Sequence, residues 1–202
     1  MIFYGIVVAA GRGERFGEPK AGLMLGGVPL WKRAVDALAE GGAYGVVLVG
    51  SVPGGIPGGA RRRDSVAAGL AALPHDATHV LVHDAARPLA SAALVRRVAS
   101  RLAEGDVDAV TPAISIGDTL KRIAGERVVE TVSREGLVSV QTPQGFSVVA
   151  LRSAHAADDD DATDDAQLIE RDGGSVVFVN GESGNMKITH PDDLAVAEAL
   201  LR

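Results

Sequence analysis

Residues 9–20 read AAGRGERFGEPK and hold three basic side chains and three glycines in twelve positions. Such a stretch can grip phosphate. Gly11 and Gly13 permit close backbone approach, so successive N–H groups can cup an anion. Arg15 offers a planar fork and Lys20 a movable point charge, both able to follow negative charge as it develops on phosphorus. Pro19 favours extended chain at Glu18, just before Lys20. Two familiar phosphate loops do not fit. The dinucleotide fingerprint needs G-x-G-x-x-G, and Gly17 comes one residue too late after Gly13. The ATPase loop needs Ser or Thr after its lysine, where this chain has Ala21. Taken alone, a glycine-rich turn with surface charges remains the plain alternative.

These side chains need a scaffold. The chain has 202 residues, 47% of them hydrophobic, enough for one well-buried core. Aromatic residues make up only 3%, so that core must be Val, Leu, Ile and Ala. Cysteine is absent, which excludes disulfides, cysteine zinc sites and thiol nucleophiles and fits a reducing compartment. The longest apolar runs fall well short of the ~18 residues of a membrane span. The first residues lack the pattern of a secretory leader, so a soluble, cytoplasmic protein is expected. A net charge of −6 argues against a broad nucleic-acid surface. Yet cations gather on loops beside Gly or Pro, among them Arg62, Arg87, Arg134 and Lys187. An acidic chain with basic loops points to a local anion site, although each such residue taken singly also reads as solvated charge.

The pattern along the chain is that of a single α/β domain. IFYGIVVAA, GVVLVGS, HVLVHD, DAVTPAI and SVVFVNG read as buried strands. Between them, PLWKRAVDALAEGG, DSVAAGLAAL and SAALVRRVASRLAEG read as helices, the second capped by Asp64 or Ser65. SVVALRSAHAA, the end of DDDDATDDAQLIERDGG and PDDLAVAEALLR add three more, the last with Pro191 in its first turn. Alternating strands and helices imply a three-layer, mainly parallel sheet with ligands outside the carboxyl ends of its strands. DTLKRIAGERVVETVSR differs: it alternates apolar and polar around a Gly turn and reads as a two-stranded ribbon. Alone, such a ribbon is marginal in water, so it should pack on something, most simply a second subunit. His79 and His83 stand four apart, but on an expected strand, so no zinc pair is expected.

Eight stretches carry a resemblance in one order: the opening loop, GGARRRDSVAAGL (58–70), VHDAARP (82–88), DTLKR (118–122), TVSREGL (131–137), QTPQGF (141–146), ATDDA (162–166) and NMKIT (185–189). Together they resemble the 2-C-methyl-D-erythritol 4-phosphate cytidylyltransferases of the non-mevalonate isoprenoid pathway. The resemblance implies a single Rossmann-like nucleotidyltransferase domain over residues 1–202, with a protruding β-ribbon arm at about residues 114–138 that clasps a homodimer. It implies transfer of a cytidylyl group from CTP, used with Mg2+, to methylerythritol phosphate, with pyrophosphate released.

The resemblance also assigns residues. Arg15, Lys20, Arg134 and Lys187 would be catalytic. Ala9, Ala10, Gly11, Gly13, Gly58, Gly59, Arg62, Ser65 and Asp84 would bind the nucleotide, and Asp84 would approach the metal. Asp84, Arg87, Thr119, Arg134, Thr142, Thr163 and Lys187 would bind the polyol phosphate, with Thr119 and Arg134 reaching the neighbour's site. Plainer readings stand beside some of these: Ser65 or Thr163 as a helix cap, Arg61 and Arg63 as solvated charges. The stretch 51–61 is short and rich in Gly and Pro, which would thin the cytidine-side wall. The nearest rival reading is a ribitol-5-phosphate cytidylyltransferase. From another class comes a catalytically silent nucleotide-binding regulator, which would not need the cations of both phosphates.

Overall fold

Unbroken apolar runs form the middle of the sheet because both of its faces are covered. In the computed structural model, which describes residues 2–11, 16, 20–157 and 160–201, FYGIVV is strand β1 (Phe3–Val8). Tyr4 and Ile6 enter one core, Phe3 and Val7 the other. A short hairpin follows, β2 (Met24–Leu25) and β3 (Val28–Pro29), then α1 (Leu30–Glu40), β4 (Val46–Val49), α2 (Arg62–Ala71), β5 (His79–Asp84) and α3 (Ala92–Leu102). Next come β6 (Ala109–Ser115), the ribbon β7 (Leu120–Ala124) and β8 (Arg127–Val132), β9 (Val138–Val140) and β10 (Gln144–Ser147). The chain closes with α4 (Val148–Ala157), α5 (Asp165–Arg171), β11 (Val176–Asn180) and α6 (Pro191–Leu200).

The main sheet runs β11-β6-β10-β5-β1-β4, with β9 alongside β6. One core packs α2, α4 and α5 against it, the other α1 and α3. This is the expected three-layer α/β arrangement. The apolar stripes explain the helices: α3 buries Leu94, Val95, Val98, Ala99 and Leu102, and Ser91 caps it by accepting from the Leu94 N–H.

Three features depart from the sequence expectation. QTPQGFS contains a strand: β10 lies antiparallel between β5 and β6, with Phe146 fully buried. Helix α2 begins at Arg62, before either expected cap, with Arg61 at the N-cap position and the Asp64 carboxylate accepting from the Arg61 N–H at 3.0 Å. The cap of α5 is Asp164, which accepts from the Gln167 N–H; Thr163 instead donates to the Gln167 side chain. The ribbon forms as expected. Its two strands pair with each other, and it leaves Ile123, Val128 and Val129 more than half exposed.

Strand β10 does more than fill the sheet. Just before it, Thr142 brings its hydroxyl to 2.9 Å from His83 Nδ1 and accepts from the Asp84 N–H at 3.0 Å. His83 Nε2 lies 3.1 Å from the Arg87 carbonyl, which can only accept, so Nε2 carries the proton. Burial pushes the His83 pKa down to about 4, so the ring is neutral and its Nδ1 accepts from Thr142. Every hydrogen in this chain has one direction, and the end of β5 is pinned by it.

A histidine held below its unfolded pKa binds more protons when unfolded, so its contribution to stability falls as pH drops from 6.5 to about 4. Its full size is about 3 kcal/mol at 1.36 kcal/mol per unit. The Asp84 pKa is lowered as well, but from a lower starting value, so its contribution is lost only as pH falls below the ordinary carboxylate range. Denaturant titrations of wild type and His83→Gln should therefore diverge between pH 6.5 and 4, the wild type losing more. Equal slopes would show that His83 is not buried neutral.

Candidate active site

Val8 and Asp84 are register partners, so β1 and β5 end level with each other. A cavity of about 560 Å³ opens there. Its floor is Val8, Ala9, Ala10 and Gly11 after β1, and Asp84, Ala85 and Ala86 after β5. One wall is Gly59 to Arg62 with Ser65, at the start of α2; the other is Lys20, Ala21 and Lys187. The small floor residues follow from crowding: large side chains there would fill the space the strands leave open.

The α2 wall is built from backbone. A Cβ on Gly58 would fall 2.5 Å from the Ala10 Cβ, and one on Gly59 2.2 Å from the Asp64 Cβ. Glycine at 58 lets this loop lie against the opening loop, and glycine at 59 lets it fold against the first turn of α2. Ser65 Oγ accepts from the Gly59 N–H at 3.1 Å and donates to the Arg61 carbonyl at 3.3 Å, which closes the turn. Ser65 is thus neither a helix cap nor idle.

The charges form one cluster. Arg62 Nε donates to Asp84 Oδ1 at 3.0 Å and its Nη1 to Asp165 Oδ2 at 2.6 Å. Lys187 Nζ donates to Asp84 Oδ2 at 2.7 Å. Burial alone would raise the Asp84 carboxyl, but Arg62 and Lys187 overcome it and hold Asp84 far below the usual carboxylate range. Burial likewise lowers Arg62, and Asp84 and Asp165 more than reverse it, so the guanidinium stays charged. Its Nη2 is buried with no partner among the described residues. Across the cavity, Lys20 Nζ donates to the Ile188 carbonyl at 3.0 Å, joining the opening loop to the 185–189 segment. The Ile188 N–H in turn bonds the Ala86 carbonyl at 2.8 Å.

Of the residues singled out by sequence, the fold brings together Ala9, Ala10, Gly11, Lys20, Gly59, Arg62, Ser65, Asp84 and Lys187, with Gly58 directly behind the wall. Gly13 and Arg15 lie outside the described residues. Others have different tasks here. Arg87 donates to the Asn185 carbonyl at 2.8 Å and the Val140 carbonyl at 3.4 Å, and does not line the cavity. The Thr142 hydroxyl is spent on His83 and Asp84. Thr163 is exposed beside Gln167. Thr119 and Arg134 are exposed at the base of the ribbon and do not line the cavity of their own chain; Arg134 donates to the Ile116 and Gly117 carbonyls.

As a metal ligand, Asp84 has both oxygens committed to cations. Among the described residues no three His, Asp or Glu side chains converge. The protein atoms described do not make a metal cage.

Sequence reasoning missed Asp165 and Arg61. Asp165 stands among other acids in the sequence, and its partner Arg62 lies 103 residues away. Arg61 lines the cavity with its guanidinium on Asp64 at 2.8 Å, rather than being merely solvated. Arg63, read the same way, is buried and donates to the His155 and Asp160 carbonyls.

Comparison with known proteins bears on the same residues. The family model described as "2-C-methyl-D-erythritol 4-phosphate cytidylyltransferase" matches residues 3–202. A protein of that name from Nocardia farcinica is 45% identical over 215 residues, covering 97% of this chain and 92% of its own. The "Bifunctional enzyme IspD/IspF" of Solidesulfovibrio magneticus is 43% identical over 230 residues, covering 98% of this chain; this chain spans only 57% of that longer protein. The crystal structure of 2-C-methyl-D-erythritol 4-phosphate cytidylyltransferase from Thermus thermophilus superposes with a TM-score of 0.83 at 39% identity, covering 98% of each chain. No helix among the described residues is long and apolar enough to cross a membrane. Topology, cavity and whole-chain likeness agree: the chain belongs to the 2-C-methyl-D-erythritol 4-phosphate cytidylyltransferase family and is an enzyme of the cytidylyltransferase class.

Proposed function

We propose that this chain joins CTP to 2-C-methyl-D-erythritol 4-phosphate, giving 4-CDP-2-C-methyl-D-erythritol and pyrophosphate. An oxygen of the acceptor phosphate attacks the α-phosphorus, a new P–O bond forms, and the bond to the β-phosphate oxygen breaks. Two anions must meet, so the protein's work is positioning and offsetting charge. The observation that carries this reading is a cavity of small residues with Lys20 and Lys187 both in its walls.

Ala9, Ala10, Gly11 and Gly13 cradle the triphosphate, and Gly58, Gly59 and Ser65 face the cytosine. Arg15 and Lys20 offset charge at the α-phosphate. Lys187, whose side chain is 41% exposed while it pairs with Asp84, can turn to the acceptor phosphate. Asp84 meanwhile keeps Arg62. Mg2+ brought with the triphosphate would be held mainly by phosphate oxygens and water, and would lower the repulsion between the anions.

Arg134 and Thr119 serve the site of a second copy of the chain through the ribbon. Their exposure, and the apolar ribbon face of Ile123, Val128 and Val129, support that dimer.

Pyrophosphate release measured over CTP, UTP and ATP with methylerythritol and ribitol phosphates should peak at CTP with methylerythritol phosphate. Preference for ribitol phosphate would change the acceptor, and no turnover with any pair would indicate a silent nucleotide-binding protein. Lys20→Ala should lower kcat about 10²–10³-fold, as loss of one charge-stabilising donor does, with little change in the KM for CTP. A change in KM alone would remove Lys20 from the chemistry.

Arg134→Ala should raise the KM for the polyol phosphate while calorimetry shows CTP binding retained; lost CTP binding would refute its role. At a polyol phosphate concentration well below the raised KM, mixing the Lys20→Ala and Arg134→Ala variants should restore about a quarter of wild-type activity, because half the random dimers carry one intact site. No recovery on mixing would mean that Arg134 serves its own chain.

A further inference from the structure

Arg62 carries three nitrogen donors and faces two carboxylates. Left with Asp84 alone, a guanidinium favours the two-pronged pairing in which Nε and Nη2 each take one carboxylate oxygen. That arrangement would occupy Asp84 Oδ2, where Lys187 now sits at 2.7 Å, and would consume Nη2. The observed arrangement is different. Asp165 takes Nη1 at 2.6 Å, so Asp84 receives only Nε. Oδ2 stays with Lys187, and Nη2 is buried without a partner among the described residues.

Asp165 is itself fixed. It is fully buried at the first position of α5. Its other oxygen lies 3.3 Å from His155 Nε2 on α4, which donates to it because the carboxylate only accepts. Just along α2, Arg63 donates to the His155 carbonyl, tying the same two regions together. Asp165 does not line the cavity. Whatever it does for a ligand passes through Arg62.

We propose that Asp165 is a positioning residue for the transfer reaction: it holds Arg62 in single contact with Asp84, which leaves the second Asp84 oxygen to orient Lys187. This rests on the function proposed above. Within the ATDDA motif it moves the functional weight from the exposed Thr163 to the buried Asp165.

A double-mutant cycle on the full chain tests it. Asp165→Asn keeps the shape and removes the charge, and should lower kcat/KM for CTP by about tenfold or more. Arg62→Ala should do at least as much, and the double variant should be no worse than Arg62→Ala alone. Effects that multiply in the double variant, or an Asp165→Asn enzyme that is folded and fully active, would overturn the proposal. Asp165→Ser serves the same cycle if the Asn variant does not fold.

A second readout needs no turnover. In arginine-labelled protein, the Arg62 guanidinium, assigned by its loss in Arg62→Lys, should show restricted rotation in wild type and faster rotation in Asp165→Asn. Unchanged rotation would overturn the proposal even in an active enzyme. Restricted rotation lost on substitution, in a chain that turns over no cytidylyl donor, would instead uphold the hold on Arg62 and reject the proposed function.

Discussion

The guanidinium of Arg62, set between Asp84 and Asp165, is the contact on which the site depends. It joins the end of β5, the start of α2 and the start of α5, three pieces that the chain makes far apart. Each charge in the cluster costs several kcal/mol to bury, and breaking such a cluster by removing one member costs about 3–5 kcal/mol, because the others are then left uncompensated. The arrangement is therefore all or nothing. With Lys187 included, two cations meet two carboxylates, so the cluster is formally neutral. In the proposed function, attraction for the phosphates comes from cations outside it as well, Lys20 in the cavity wall among them.

The backbone beneath that cluster is set by a different kind of constraint. Strand β10 runs against the direction of its neighbours, and Thr142 just before it reaches the His83 ring and the Asp84 N–H. The neutral ring cannot be replaced by a charged one without reversing the sense of the Thr142 hydrogen bond. The polar chain Arg87 carbonyl, His83, Thr142, Asp84 N–H thus fixes where the Asp84 carboxylate begins, and Arg62 and Lys187 fix where it ends.

Much of this was legible because the signals are local. The two-faced apolar runs of β1 and β5 and the stripes of α1 and α3 need only near neighbours to be read, and the loops after β1 and β5 announce themselves by Gly and basic residues. What escaped depends on distant partners. Four residues with a glycine, QGFS, do not look like a strand until β5 and β6 stand on either side. Arg61 is no usual cap, and α2 starts there only because Asp64 reaches back to it. A threonine hydroxyl in a motif looks like a ligand group, and nothing local shows that His83, 59 positions away, has claimed that of Thr142. In ATDDA, the eye goes to the hydroxyl, while burial selects the carboxylate two residues on.

The short stretch 51–61 leads into one wall of the cavity. Here Ile56 forms a parallel bridge with Val49: its N–H bonds the Leu48 carbonyl at 2.8 Å, and its own carbonyl accepts from the Gly50 N–H at 2.8 Å. The loop is thereby an extension of the sheet edge rather than a free excursion. From that anchor only Pro57 intervenes before Gly58 meets Ala10, and the missing Cβ atoms bring the backbone itself to the cavity rim. A wall of this kind brings bare backbone at the glycines beside the side chains of Arg61, Arg62 and Ser65. Its shape is set by sheet hydrogen bonds, so a short chain of Gly and Pro suffices where side chains would need more length to reach.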